Sequence, residues 1–349
     1  GYDVGDMPLT VNIGARYSTT DVNAAAVQSD IANVVPTTDQ TLFSNVFGPA
    51  NDINESGSYS NLLPSVNVKL GLQDDMVLRF AVYDSLTRPT LSQLSPATTY
   101  NEPRRQNLTA QGGNPNLKPF TSENWDISYE WYYSDASLFS FAFFHKEVDD
   151  FIVTSTSAET FTLANRTGPD FACEGANCSD ADELNGEQEV YTVTRPQNTE
   201  SITVTGYEIA LTHIFENGFG FTANATIVDS DQELGDDPTK AFALEGLGDS
   251  QNLIMFYEAD TWQARVAYNN REGFLRLVDN GFNGEPVNTE TFGQWDVSAS
   301  YDVNENISVF FEGINVTEEE LVQTGRFANQ AYNIEDNGSR YAIGVRGKF

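Results

Sequence analysis

Few residues in this 349-residue chain are suited to making or breaking bonds. His145 and His213 are its histidines, and Cys173 and Cys178 its cysteines. A nucleophilic triad needs an imidazole within reach of a hydroxyl or thiol, and neither histidine has such a neighbour in sequence. A structural zinc site takes four nitrogen or sulfur ligands, which two cysteines with no nearby histidine do not supply. Their C-x4-C spacing suits a small disulfide loop in an oxidising compartment. The segment Asp229–Asp237 sets oxygens at alternate positions, as calcium favours. Leu234 stands where an EF-hand needs glycine, and the distal glutamate is missing, so no metal is assigned. With 51 acids, chance carboxylate pairs are expected and do not mark a glycosidase. The residues point away from an enzyme and call for no cofactor.

The balance of 51 Asp and Glu against 18 Lys and Arg gives a net charge of −33, which excludes nucleic acid as a partner. Hydrophobic residues make up 40% and aromatics 12%, too much for a disordered acidic chain. No stretch approaches the ~20 apolar residues of a spanning helix.

The pattern that dominates has period 2. Leu9, Val11, Ile13, Ala15 and Tyr17 alternate with polar residues, as do Trp262, Ala264, Val266 and Tyr268, and Trp295, Val297, Ala299 and Tyr301. Successive strand residues point to opposite faces, so each run has one apolar and one polar face. Twelve strands are predicted, at 7–19, 58–72, 76–87, 121–133, 138–154, 201–215, 218–229, 251–259, 261–276, 291–302, 306–316 and 338–349. In 201–215 the apolar phase flips near Gly206, where a bulge would restore it.

Short and long connections alternate strictly. The long ones are 20–57, 88–120, 155–200, 230–250, 277–290 and 317–337. A transmembrane barrel has this arrangement, with short periplasmic turns and long external loops. Trp131, Tyr133, Phe215, Phe219, Tyr257, Trp262, Tyr301 and Phe349 then fall near the short-turn ends, and Tyr17, Trp125, Tyr207 and Tyr268 near the loop ends. Two aromatic girdles suit two membrane interfaces. The predicted fold is all-β, an antiparallel transmembrane β-barrel.

The segments LRFAVYDSLTRP (Leu78–Pro89), GGNPNLKP (Gly112–Pro119), the run from Ser122 to Val153, VTGYEIAL (Val204–Leu211), FFEGINVTEE (Phe310–Glu319) and RYAIGVRGKF (Arg340–Phe349) resemble TonB-dependent outer-membrane receptors. The resemblance runs through nearly the whole chain in family order. It is closest to a subgroup common in xanthomonads and caulobacters, many of them associated with carbohydrate uptake. It implies the outer membrane of a Gram-negative bacterium and a barrel of about 22 strands around a plug. Twelve strands then make residues 1–349 the C-terminal part of that barrel, with the plug and N-terminal strands outside this chain. The implied partners are outer-membrane lipid, that plug and those strands, the TonB coupling protein reached through the plug, and the barrel-assembly machinery. The implied function is energised import of a scarce ligand, an oligosaccharide first and a siderophore or iron complex second. A passive porin is the competing reading.

With the apolar face toward lipid, the polar face lines the lumen. Arg265 and Asn269 on that face, and Tyr100, Asn101, Arg104, Arg105 and Asn107 in loop 88–120, are the expected substrate contacts. Aromatic rings stack on sugars, while amides and guanidinium groups bond hydroxyls. Tyr341, Ile343, Val345 and Phe349 form an apolar series with a terminal aromatic, similar to the signal read by the assembly machinery.

Overall fold

The computed structural model describes residues 2–5, 7–36, 43–104, 108–162, 188–199, 201–232, 244–278 and 285–348. Their regular elements are all strands. In chain order these are β1 (Tyr2–Val4), β2 (Met7–Pro36), β3 (Phe43–Gln73), β4 (Met76–Thr87), β5 (Thr98–Tyr100), β6 (Thr109–Gly112), β7 (Phe120–Ser134), β8 (Ser137–Asp149), β9 (Ile152–Thr162), β10 (Gln188–Asn198) and β11 (Ile202–Ile214). They continue as β12 (Phe219–Ser230), β13 (Ser250–Glu258), β14 (Trp262–Arg271), β15 (Phe274–Leu277), β16 (Val287–Thr289), β17 (Phe292–Asn304), β18 (Ile307–Ile314), β19 (Leu321–Thr324), β20 (Ala331–Glu335) and β21 (Arg340–Gly347).

Thirteen strands form one sheet, ordered β1-β2-β3-β4-β7-β8-β11-β12-β13-β14-β17-β18-β21. It contains the twelve predicted strands and the three-residue β1. Neighbours pair antiparallel, in chain order. This is a barrel wall of the predicted kind, open along β1 and β21 in the residues described. The five predicted short turns join its hairpins. In one of them Gly218, at φ 86°, takes the left-handed conformation that a side chain would resist.

Register carries the two faces across the sheet. One row runs Val11, Val68, Phe80, Ile127, Phe143, Tyr207 and Ile227, apolar throughout. The adjacent row on the other face holds Lys69, Arg79 and Ser128. The aromatic girdle at the short turns is continuous in places. Trp131 meets Tyr133 at 5.3 Å, Phe219 meets Tyr257 at 5.5 Å, and Tyr257 meets Trp262 at 4.6 Å between ring centroids. Tyr133 also stacks on His213 and bonds its Nδ1 at 3.0 Å. Both described histidines therefore serve in packing, since His145 Nδ1 bonds Thr205 Oγ1 at 3.0 Å.

Four expectations are corrected. Segment 20–57 is no loop: β2 and β3 run on as a hairpin of 30- and 31-residue strands. Beyond the membrane both faces meet water, so strand pairing continues there without the alternation that lipid imposes. Strand 138–154 breaks at Asp150, whose φ is 57°, and the chain then enters β9. Strand 261–276 likewise divides at Glu272–Gly273 into β14 and β15. No bulge occurs at Gly206, because β11 pairs with β8 without interruption from Ile202 to Thr212. The apolar phase changes there because Ile202 is fully buried near the loop end.

Gly206 has another task. A Cβ there would collide with Phe144, its register partner on β8. The same pairing of phenylalanine over glycine recurs at Phe256 on Gly220 and at Phe310 on Gly344. All three pairs lie on the polar face. Lys146 sits 5.5 Å from the Phe144 ring centre and Arg346 5.9 Å from that of Phe310.

The long connections fold too. β5-β6-β10-β9 make one four-stranded sheet and β15-β16-β19-β20 another. The first packs on the hairpin tip through a buried cluster of Ile31, Val34, Phe43, Ala110, Tyr191 and Val193.

Candidate functional site

The polar face of the wall is built by parity. In β14, Gln263, Arg265 and Asn269 share it, and register places Ser298 and Glu312 beside Arg265. Arg265 stands three residues from Trp262, near the short turns and away from the loops. It lines a recess of about 310 Å³ with Glu258, Gln263, Ser298, Glu312 and Arg346. Asn269 lies about 13 Å further along the strand, toward the loops. There it joins a cross-strand row of amides, Asn224, Asn252, Asn269 and Gln294. Asn252 Nδ2 donates to Asn224 Oδ1 at 2.8 Å, and Gln294 Nε2 donates to Asp296 Oδ1 at 2.7 Å. Asn269 itself is exposed. An exposed amide both donates and accepts, the requirement for meeting hydroxyl groups. The wall's main ion pair is Arg79 with Glu130, a two-point contact at 2.8 and 3.2 Å.

The loop residues have different surroundings. Tyr100, on β5, packs its ring edge-on against Phe161 at 5.2 Å and Tyr191 at 5.4 Å. Burial pushes its hydroxyl pKa up, and the charge of Asp30 adds to that. Asn101 Nδ2 donates to Thr109 Oγ1 at 3.0 Å, and its carbonyl accepts from Asn45 Nδ2 at 2.9 Å. Both residues thus brace the loop sheet. Arg104 is exposed. Arg105, Asn107, Cys173, Cys178 and Phe349 lie outside the described residues. So does most of the acidic segment 229–237, although Asp231 Oδ1 accepts from the Thr203 amide at 2.9 Å. Tyr341, Ile343 and Val345 share the apolar face of β21.

Two arginines were not among the expected contacts. Arg195 clamps the loop sheet: it meets Glu159 at 2.7 and 3.1 Å, Thr98 Oγ1 at 2.7 Å and the Gly113 carbonyl at 3.0 Å. Arg88, just past β4, reaches back across β3 to Ser18 and Thr20 on β2. Parity in β4 puts even-numbered residues on the apolar face, so strand periodicity gave no signal for the reach of Arg88 to Ser18 and Thr20. The described residues assemble an open wall of hydrogen-bonding groups and charges.

Comparison with known proteins adds the following. The family described as TonB dependent receptor-like, beta-barrel matches residues 2–316. No curated protein matches closely enough to mark a relative. Among solved structures, the siderophore receptor PirA from Acinetobacter baumannii is 16% identical, with a TM-score of 0.58 over 96% of this chain and 46% of that one. A ferric enterobactin receptor mutant (PfeA) from Pseudomonas aeruginosa, in complex with enterobactin, is 14% identical, with a TM-score of 0.59 over 99% and 52%. A double mutant of the hemophore receptor HasR from Serratia marcescens, in complex with its hemophore HasA and heme, is 15% identical, with a TM-score of 0.58 over 98% and 49%. At these identities the likeness is one of fold. The chain spans about half the length of each of these structures.

Proposed function

Because the chain belongs to the TonB-dependent receptor β-barrel family, whose members lie in the outer membrane of Gram-negative bacteria, we propose that it is the C-terminal wall of a receptor importing a scarce oligosaccharide with energy from the TonB system. The observation that carries the ligand class is the amide row Asn224, Asn252, Asn269 and Gln294 on the polar face. A row of groups that both donate and accept suits a neutral polyhydroxylated chain sliding along it. The reading is one of transport and includes no catalytic step. A ferric siderophore is the second ligand class, favoured by what the similar solved structures are named for binding.

In this reading the rest of the barrel and a plug precede these residues, and the plug meets the TonB protein. The final strand is the segment the barrel-assembly machinery reads, through Tyr341, Ile343, Val345 and Phe349. Loss of Phe349 then lowers outer-membrane abundance more than it lowers ligand affinity per assembled receptor, and Phe349→Tyr restores abundance.

The test is uptake of a labelled oligosaccharide by cells expressing the full-length receptor, with and without a functional TonB protein. Energised import stops without TonB. Uptake that persists without it identifies a passive pore. TonB-dependent uptake of a ferric siderophore, with no uptake of sugars, identifies the second ligand class.

A further inference from the structure

Near the loop end of the polar face, β2, β3 and β4 line a recess of about 590 Å³ that holds Arg16 and Arg88. Arg88 donates Nε to Thr20 Oγ1 at 3.2 Å, and Nη2 to Thr20 Oγ1 at 3.1 Å and Ser18 Oγ at 3.2 Å. All these acceptors are neutral hydroxyls, which hold the guanidinium in place and leave its charge standing. Arg16, two residues before Ser18, lines the same recess and is exposed. Among the described residues neither arginine has a carboxylate within ion-pair distance. Asp84 borders the recess but belongs to the opposite-face row, where it pairs with Glu123.

Two arginines elsewhere show what a committed guanidinium looks like. Arg79 is spent on Glu130 and Arg195 on Glu159, each through two oxygens. Arg326 also meets a carboxylate, Glu285 at 3.8 Å, while the other described arginines have none within ion-pair distance among the described residues. What sets Arg16 and Arg88 apart is that they line one recess together near the loop end. Around them Ser65, Tyr83 and Ser85 add hydroxyls. A second recess of about 490 Å³ adjoins at Arg88 and offers the apolar side chains of Leu91, Leu94 and Pro96.

We propose that this recess binds a carboxylate. Arg16 supplies the planar fork that matches two carboxylate oxygens, and Arg88 supplies its uncommitted Nη1 donors. The carboxylate has two sources: an acidic sugar of the transported oligosaccharide, or an Asp or Glu from a segment of the protein lying inside the barrel. Only the first source rests on the import reading.

The test uses the full-length receptor in detergent, titrated calorimetrically with an oligogalacturonate and with its methyl ester. Arg16→Gln and Arg88→Gln are compared with Arg16→Lys and Arg88→Lys, and heat-modifiable gel mobility confirms that each variant is folded. If the ligand supplies the carboxylate, the parent binds the acid about tenfold more tightly than the ester. Each Gln variant loses that preference while binding the ester as before, and the Lys variants keep part of it. If the protein supplies the carboxylate, the parent shows no preference, and both Gln variants lower the thermal midpoint while the Lys variants restore it. The proposal is overturned if the Gln variants match the parent in both acid preference and midpoint. Uptake that persists without TonB would remove the import reading and leave this binding result intact.

Discussion

The wall and the loop sheets obey opposite rules. Along the wall most large apolar side chains point outward, and many stay exposed: Ile13 is 75% exposed, Ile343 80% and Val345 69%. In the loop sheet beside the hairpin tip they point inward, and Tyr191 and Val193 are fully buried. In water an apolar side chain gains by being covered, so the loops build a core. In lipid nothing is gained by covering it. The wall is held instead by a ladder of backbone hydrogen bonds, whose loss in lipid costs several kcal/mol per group. One chain thus carries two solvents' worth of folding instructions.

If the two regions are held by different forces, one can be damaged without the other. The largest effect is expected at Tyr191→Ala, which empties the centre of the loop core and costs about 3–5 kcal/mol there. Proteases should then cut near β6 and β10, while heat-modifiable gel mobility of the assembled barrel is retained. Loss of both would show that the regions fold as one.

Next comes Val266→Arg, which puts a charge on the lipid face at a cost of about 2–4 kcal/mol near the midplane. Outer-membrane abundance should fall sharply. Gln263→Arg, on the polar face of the same strand, should leave it near the parent level. Equal abundance of the two variants would mean that the faces are assigned wrongly.

Arg195→Lys removes the two-point contact with Glu159 and the bond to the Gly113 carbonyl. A loss of about 1–3 kcal/mol, confined to the loop sheet, should appear as faster hydrogen exchange in β5, β6 and β9.

The smallest effect belongs to Tyr100. Its raised pKa means that the folded loop sheet favours the neutral phenol. That stability is intact below the ordinary tyrosine value of about 10 and drains away as pH rises from there through the raised folded value. Tyr100→Phe should abolish this alkaline loss and change neutral-pH stability by less than about 0.5 kcal/mol. An alkaline loss that survives the substitution would place it on other groups.

This division also explains what the sequence could disclose. Lipid on one side and polar surroundings on the other impose period 2, and every strand that feels both was legible from Leu9 to Val345. Where water reaches both faces, as from Thr20 to Ser29, the alternation fades and the extended hairpin read as a loop. The loop sheets depend on partners far apart in sequence. β6 pairs in parallel with β10, with Thr109 opposite Thr192, and no local pattern encodes that. For the same reason the bracing by which Tyr100 and Asn101 hold the loop sheet, through Phe161, Tyr191, Thr109 and Asn45, was not legible beside their expected role as ligand contacts. Asn269 was legible because strand parity alone places it on the polar face. Arg88 was hidden because its bonds to Ser18 and Thr20 cross an intervening strand.

On the import reading, the three phenylalanines laid across glycines bear on traffic past the wall. A ring standing off the wall would narrow the bore. Phe144, Phe256 and Phe310 lie instead over the bare backbone of Gly206, Gly220 and Gly344. Each becomes a flat, dry tile in an otherwise wetted surface. A ligand passing as proposed would cross such a tile without exchanging hydrogen bonds, and would meet less friction there. Alanine at any of the three glycines would lift the ring and roughen the channel while leaving its charge unchanged.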